Sequence, residues 1–184
     1  MVHLNEEIKS GKLKLLLDNN SIRNRINGLA KEIIHFYEWE KDELVIVGLA
    51  DGANIFTSNL VILLPFKLKL YFLKIKTYEG TNKAKNSVIN IEELTDVENK
   101  NVLIVDDICD TSETLNSVIE VIKTLKPKTI KTCVLLNKHI DKKFNIKLDF
   151  VGFNIENKFV VGAGLDYNNY YRNLDAIYEF KNES

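Results

Sequence analysis

A chain of 184 residues that is 45% hydrophobic can bury one substantial core but is short for two. Its formal net charge of -1, with 28% of residues charged and both signs interspersed, supplies no basic footprint for nucleic acid and no polybasic patch for a membrane surface. Met1 to Lys14 lacks a signal-like apolar core and no stretch approaches a membrane span, so a single cytoplasmic domain over 1–184 is expected.

Asn20 or Ser21 is placed to cap a helix whose apolar residues Ile22, Ile26, Leu29, Ile33 and Phe36 recur at helical spacing as far as Trp39. Leu44 to Leu49 is a short apolar run stopped by Ala50-Asp51-Gly52, and Ile55, Phe56, Leu60, Ile62 and Leu63 supply a second helix before Pro65. Leu68 to Ile75 reads as the next strand. From Lys76 to Lys100 hydrophobicity drops and Gly80 to Asn86 shows neither helical nor strand periodicity, which predicts a mobile excursion. Val102 to Val105, a helix from about Thr111 to Leu125, Thr129 to Leu136 and Phe150 to Phe153 complete a β-α-β alternation. That alternation predicts a mostly parallel sheet flanked by helices, with ligands at the carboxyl ends of its strands.

Cys109 and Cys133 are the only cysteines. One falls in a loop and the other in an apolar strand, without metal-ligand spacing, so no structural disulfide is expected and a reducing compartment is favoured.

The most informative segment is Val102-Leu103-Ile104-Val105-Asp106-Asp107-Ile108-Cys109-Asp110-Thr111-Ser112-Glu113-Thr114-Leu115. A buried strand there ends in adjacent carboxylates, and a helix begins a few residues later. Carboxylates suit sugar hydroxyls, while small hydroxyl residues and the free N–H groups of a helix start suit phosphate. Many parallel sheets have strands that end in Asp before a Ser or Thr cap, so Asp106-Asp107 alone would say little. The third acid, Asp110, and the hydroxyls of Thr111, Ser112 and Thr114 in the same loop describe a ribose 5-phosphate site more specifically.

This segment resembles the phosphoribosyl-pyrophosphate (PRPP) motif of type I phosphoribosyltransferases. A second block, Asp149 to Phe153, Lys158 to Tyr167 and Tyr171 to Leu174, resembles the carboxyl-terminal hood of the hypoxanthine(-guanine) branch. With Val45 to Gly52 and Lys76-Thr77-Tyr78, the similarity runs in order from about residue 20 to 178. It implies a type I phosphoribosyltransferase α/β fold with a flexible flap at about 76–100 and a small hood formed by about 138–184 with N-terminal residues.

The activity implied by the resemblance is purine salvage, the Mg²⁺-dependent transfer of 5-phosphoribose from PRPP to hypoxanthine and guanine. The products are the purine nucleotides IMP or GMP and pyrophosphate. By the same resemblance Asp106 and Asp107 lie under the ribose hydroxyls and help hold magnesium, with Asp166 as a further magnesium contact. Asp110 matches the general base near purine N7, and Thr111, Ser112, Glu113 and Thr114 form the phosphate loop. Lys138 matches the donor to the 6-oxo group, Phe159 the aromatic that stacks on the base, and Val160 the residue whose backbone meets the purine's other edge. Asp51 and Gly52 occupy the pyrophosphate loop, Lys76, Thr77 and Tyr78 the base of the flap, and Arg172 a pyrophosphate contact. A homodimer or homotetramer is the implied assembly.

Two segments depart from the family pattern. Ala50-Asp51-Gly52 has an acid where Lys or Arg is usual, after a peptide that the family can hold cis. Asp51 is therefore expected either to pair with a nearby cation or to face a subunit interface. Ser112-Glu113 stands where Gly and a non-acidic residue are usual, and it places an anion beside an anionic ligand. These departures motivate an alternative, a non-catalytic protein that senses PRPP or nucleotide with the same fold.

Overall fold

A computed structural model of the chain describes residues 2–38, 43–79, 85–89, 91, 94–140 and 143–181. Helix α1 (Val2–Lys9) and strand β1 (Leu13–Leu17) come first, followed by α2 (Asn19–Tyr37), β2 (Leu44–Ala50), α3 (Asn54–Val61), β3 (Leu68–Glu79) and β4 (Lys85–Ile89). Then come β5 (Asn101–Cys109), α4 (Glu113–Thr124), β6 (Thr129–Lys138), β7 (Phe150–Ile155), β8 (Val160–Val161) and β9 (Ile177–Phe180).

The main sheet has the order β4-β3-β2-β5-β6-β7, parallel throughout except for the β3–β4 pair. The central strands β2 and β5 are buried on both faces, and the side-chain alternation of extended backbone divides their residues between two cores. Val45, Val47, Val102 and Ile104 pack with Leu115, Val118 and Ile122 of α4. Ile46, Leu103 and Val105 pack on the other face with Ile26, Leu29 and Ile33 of α2 and Phe56 and Leu60 of α3. Each such fully buried side chain contributes about 1.5–3 kcal/mol of transfer free energy.

Topology places the site. From β2 the chain moves outward through α3 to β3, whereas β5 lies on the other side of β2 and the chain then moves outward through α4 to β6. The carboxyl ends of β2 and β5 therefore flank the point where the winding direction reverses, and a crevice opens there in such sheets. A separate antiparallel sheet, β1-β9-β8, draws the N-terminal strand against the C-terminal one. Tyr167 stacks on Phe180 inside it, with ring centroids 4.7 Å apart.

Several local expectations are corrected. Asp18 caps α2, accepting from the Ser21 N–H at 2.7 Å, so the cap lies ahead of Asn20 and Ser21. The helix runs to Tyr37, and Trp39 lies outside the described residues. Ile62 and Leu63 fall beyond α3. The segment from Lys76 is strand at its start: β3 continues to Glu79 and pairs with β4 in register Lys76 with Val88 and Glu79 with Lys85. Its far end returns to the core at Leu94 and Val97, so the excursion is shorter than 76–100. Residues 80–84 lie outside the described set. The hood range also began too early, because Lys138 and Phe150–Ile155 belong to the main sheet. Helix α1 and strand β1 were not foreseen, since a strand that pairs with the far end of the chain has no local partner to signal it.

Candidate active site

Strand β5 carries its hydrogen-bonded ladder through the acids, pairing Asp106 with Val134 and Cys109 with Asn137. Extended backbone therefore reaches further than the apolar run suggests, and it holds Asp106 and Asp107 rigidly, each only 8% exposed. Asp106 Oδ1 accepts the Asp107 N–H at 3.0 Å, and Asp107 Oδ1 accepts the Ile108 N–H at 2.9 Å. Burial raises the Asp106 carboxyl well above the usual carboxylate range, and the neighbouring Asp107 charge adds to the rise. Burial raises Asp107 too, opposed by hydrogen bonding with Asp106 and Ile108 and by the Arg172 charge.

At the end of β2 the Ala50–Asp51 peptide is cis. The next residue must be glycine, because a Cβ at Gly52 would lie 2.0 Å from Asp107 Oδ2. Gly164 has φ +106°, and a Cβ there would lie 2.3 Å from the Gly52 carbonyl oxygen. The β2 loop, the β5 acids and the loop after β8 thus close on one another at contact distance. They enclose a cavity of about 230 Å³ lined by Gly52, Asp106, Asp107, Thr114, Asp166 and Arg172. Arg172 is held there by donating to the Gly164 carbonyl at 2.7 Å and pairing with Asp166 at 2.9 Å.

Asp51 is not part of that lining. Its carboxylate is paired with Lys74 on β3 at 3.6 Å, with both side chains largely solvated. Register explains the pair, since Ala50 lies beside Lys74 in the parallel β2–β3 ladder. Asp51 thus has a cationic partner, but it is solvated and lies outside the cavity lining that contains Asp106, Asp107 and Arg172.

An adjoining cavity of about 270 Å³ is formed by residues 106–115, from the end of β5 to the first turn of α4. Ser112 there has φ +66°, the left-handed conformation that glycine adopts at least cost. Its hydroxyl donates to the Phe144 carbonyl at 2.8 Å and accepts the Phe144 N–H at 3.2 Å. Glu113 pairs with Lys143.

Lys138, at the end of β6, is buried and reaches Asp110 Oδ2 at 2.7 Å. A donor and an acceptor are thereby presented side by side. Phe159 is half exposed, edge-on to Tyr167 at 5.8 Å and to Phe180 at 6.0 Å, while Val160 is buried in the small sheet opposite Glu179. Neither lines the two cavities. Lys76, Thr77 and Tyr78 lie on the β3 backbone beyond the register that pairs β2 with β3. Lys74, Lys143 and Phe144 join the neighbourhood without having been singled out, because their roles depend on strand register and loop return.

Among the described residues no group of three or more His, Cys, Asp or Glu is arranged to hold a metal ion. Asp106 and Asp107 nonetheless fit a magnesium ion. They are adjacent oxygen donors whose burial disfavours two uncompensated charges, and Mg²⁺ commonly binds through one or two carboxylates together with substrate oxygens and water.

The phosphoribosyl transferase domain model matches residues 13–168. The chain belongs to that family. It is 41% identical over 174 residues to the hypoxanthine-guanine phosphoribosyltransferase of Aquifex aeolicus, covering 94% of this chain and 97% of that one. It is 35% identical to the hypoxanthine-guanine-xanthine phosphoribosyltransferase of Tritrichomonas foetus, over 89% of each chain. The crystal structure of a Staphylococcus aureus hypoxanthine phosphoribosyltransferase superposes with TM-score 0.86 at 32% identity, covering 95% of both chains. The Trypanosoma cruzi enzyme in complex with the product IMP superposes with TM-score 0.85 at 32% identity, over 92% of this chain and 95% of that one. Phosphoribosyltransferases of this branch thus share both the sequence and the architecture described above.

The raised Asp106 carboxyl has a measurable consequence. Its native form binds a proton more readily than the unfolded chain, so its contribution to stability is full below the unfolded pKa and is lost as pH rises through the folded one. Asp106→Asn keeps an acceptor for the Asp107 N–H, and should raise the thermal midpoint of the ligand-free protein at pH 7 and flatten its decline with pH. Turnover should fall by about tenfold or more, because a positioning contact is lost. Calorimetry across pH with parallel kinetics checks both.

Because Asp51 already has a solvated partner, Asp51→Lys should leave PRPP affinity within about twofold of wild type and reduce stability by no more than about 1 kcal/mol. Titration calorimetry and denaturant unfolding measure the two effects.

Proposed function

We propose that this protein transfers the 5-phosphoribosyl group of PRPP to N9 of hypoxanthine, and of guanine, releasing pyrophosphate. The observation that carries the base assignment is the Lys138–Asp110 pair at the mouth of the phosphate loop. A 6-oxopurine protonated on N7 presents a carbonyl acceptor and an N–H donor on one edge, and an ammonium beside a carboxylate complements that edge. Adenine offers an amino donor to Lys138 instead, and a buried unmatched donor discriminates strongly.

In the reaction, the bond from the ribose anomeric carbon to pyrophosphate breaks with its electron pair on pyrophosphate, and N9 forms the new bond to that carbon. The purine's N7 proton is taken up by Asp110. Asp106 and Asp107 orient the ribose hydroxyls, while Thr111, Ser112, Glu113 and Thr114 surround the 5-phosphate with the N–H groups at the start of α4. Arg172 and the backbone of Asp51 and Gly52 face pyrophosphate, and Phe159 and Val160 of the small sheet, the hood on this view, flank the base. Asp106, Asp107 and Asp166 would hold Mg²⁺, which neutralises charge on the departing pyrophosphate when bound. Lys76, Thr77 and Tyr78 form the root of a β3–β4 flap that closes over PRPP and excludes water.

Two acids, Asp51 and Glu113, prompted the alternative of a non-catalytic sensor. Both are neutralised by a lysine, so neither presents an uncompensated charge to the ligand. Cys109 and Cys133 are both buried, and among the described residues no helix is long and apolar enough to cross a membrane; a cytoplasmic setting is part of the same proposal. The exposed apolar side chains Ile55, Ile62 and Leu63, on α3 and just beyond it, are the feature in keeping with assembly as a homodimer or homotetramer.

The deciding assay follows PRPP-dependent nucleotide formation from hypoxanthine, guanine, xanthine and adenine in turn, with Mg²⁺ present. Turnover with the first two, and none with adenine, is expected. PRPP binding without turnover on any base would establish the sensor instead.

Asp110→Asn should lower kcat by about 10²- to 10⁴-fold, the usual range for general acid-base assistance, with PRPP affinity largely retained. Steady-state kinetics and PRPP titration read the two effects separately.

Lys138→Ala should raise KM for hypoxanthine and guanine by about 10- to 100-fold, the equivalent of one lost hydrogen bond from a charged donor, while KM for PRPP changes by no more than about twofold. Equal rises in both constants would indicate a general electrostatic effect.

A further inference from the structure

The connection from β6 to β7 returns to the phosphate loop and is fastened to it three times. The Lys143 N–H donates to the Thr111 carbonyl at 3.1 Å, Ser112 exchanges hydrogen bonds with the Phe144 backbone at 2.8 and 3.2 Å, and the Lys143 ammonium pairs with Glu113. These bonds engage the two protein groups best able to occupy the start of α4, while the other Glu113 carboxylate oxygen accepts from the Thr111 hydroxyl at 3.5 Å. Ser112 is the N-cap residue, yet its backbone is left-handed and its side chain makes no capping hydrogen bond; its hydroxyl instead faces the Thr111 carbonyl at 2.5 Å and the Phe144 carbonyl at 2.8 Å. Glu113 is the acid of the first turn, where a carboxylate is attracted to the same positive helix end and the same N–H groups that a phosphate would use.

We propose that Lys143 is a positioning residue for PRPP. By pairing with Glu113 it keeps that carboxylate away from the helix start and cancels its repulsion, so that the first N–H groups of α4 are left for the ligand's 5-phosphate. Lys143 acts through Glu113, and its importance exists only because an acid stands at that position. The inference rests on the assignment of residues 110–114 to the 5-phosphate.

The test is a double-mutant cycle on the full-length protein, reading PRPP dissociation constants by titration calorimetry with Mg²⁺ and KM for hypoxanthine by kinetics. Lys143→Met keeps the side-chain stem and removes the charge. It should weaken PRPP binding roughly tenfold at low ionic strength, less at high salt, with KM for hypoxanthine unaltered. Lys143→Arg should retain wild-type affinity. In a Glu113→Gln background the same Lys143→Met change should cost less than about twofold, since no charge remains to be neutralised. An equal loss in both backgrounds would overturn the proposal, and so would no loss in either. Thr114→Val serves as the reference for the loop itself. If it weakens PRPP binding while Lys143→Met does not, only the role of Lys143 fails; if it leaves PRPP affinity unchanged, the phosphate-loop assignment fails and the inference with it.

Discussion

The structure depends on two carboxylates being held where ionising them is costly. Asp106 and Asp107 sit at the end of a strand buried on both faces, and burial is the main reason that both are raised. A core built for stability alone would place apolar residues there. The surrounding features answer to that charge. Gly52 has no side chain because Asp107 occupies the space, Gly164 allows a third loop to close over Gly52, and Arg172 brings a positive charge to the same cavity. Stability is given up locally, and under the proposed function that cost places oxygen donors that need no rearrangement before a polyhydroxylated, highly charged ligand.

Two described cations at the candidate site are paired within the protein. Arg172 is paired with Asp166, and Lys138 with Asp110. Such pairs keep long side chains in the geometry required of them and avoid leaving a charge unsatisfied. A ligand that engages them exchanges one partner for another instead of ordering a free side chain, which limits the entropic cost of binding. Under the proposed function, a base edge with both an acceptor and a donor would replace both halves of the Lys138–Asp110 contact.

Departures from the family pattern at Asp51 and Glu113 are compensated in a common way. Each acid has acquired a lysine from a different element, Lys74 from the neighbouring strand and Lys143 from the loop that returns beside α4. The two pairs differ in consequence. Asp51 with Lys74 lies outside the lining of the central cavity, whereas Glu113 lines the cavity formed by residues 106–115. Ser112 shows the same logic in backbone form, its left-handed conformation being secured by the Phe144 backbone where glycine would need no such support.

Alternation of apolar runs and helical spacings determined the parallel α/β architecture from the sequence alone, because the buried strands read as short apolar runs while α2, α3 and α4 each bury a face whose period is visible within a dozen residues. The acids at the end of β5, the hydroxyl loop and Lys138 were legible for a related reason: they lie next to strand ends, and strand ends in a parallel sheet converge. What depended on contacts between distant segments was decided only by the tertiary structure. The pairing of β1 with β9 joins opposite ends of the chain, the partnership of Asp51 with Lys74 follows from strand register, and Lys143 reaches Glu113 only because the β6–β7 connection folds back on α4. No local periodicity encodes those meetings, since each is fixed by how whole elements pack and not by the residues on either side.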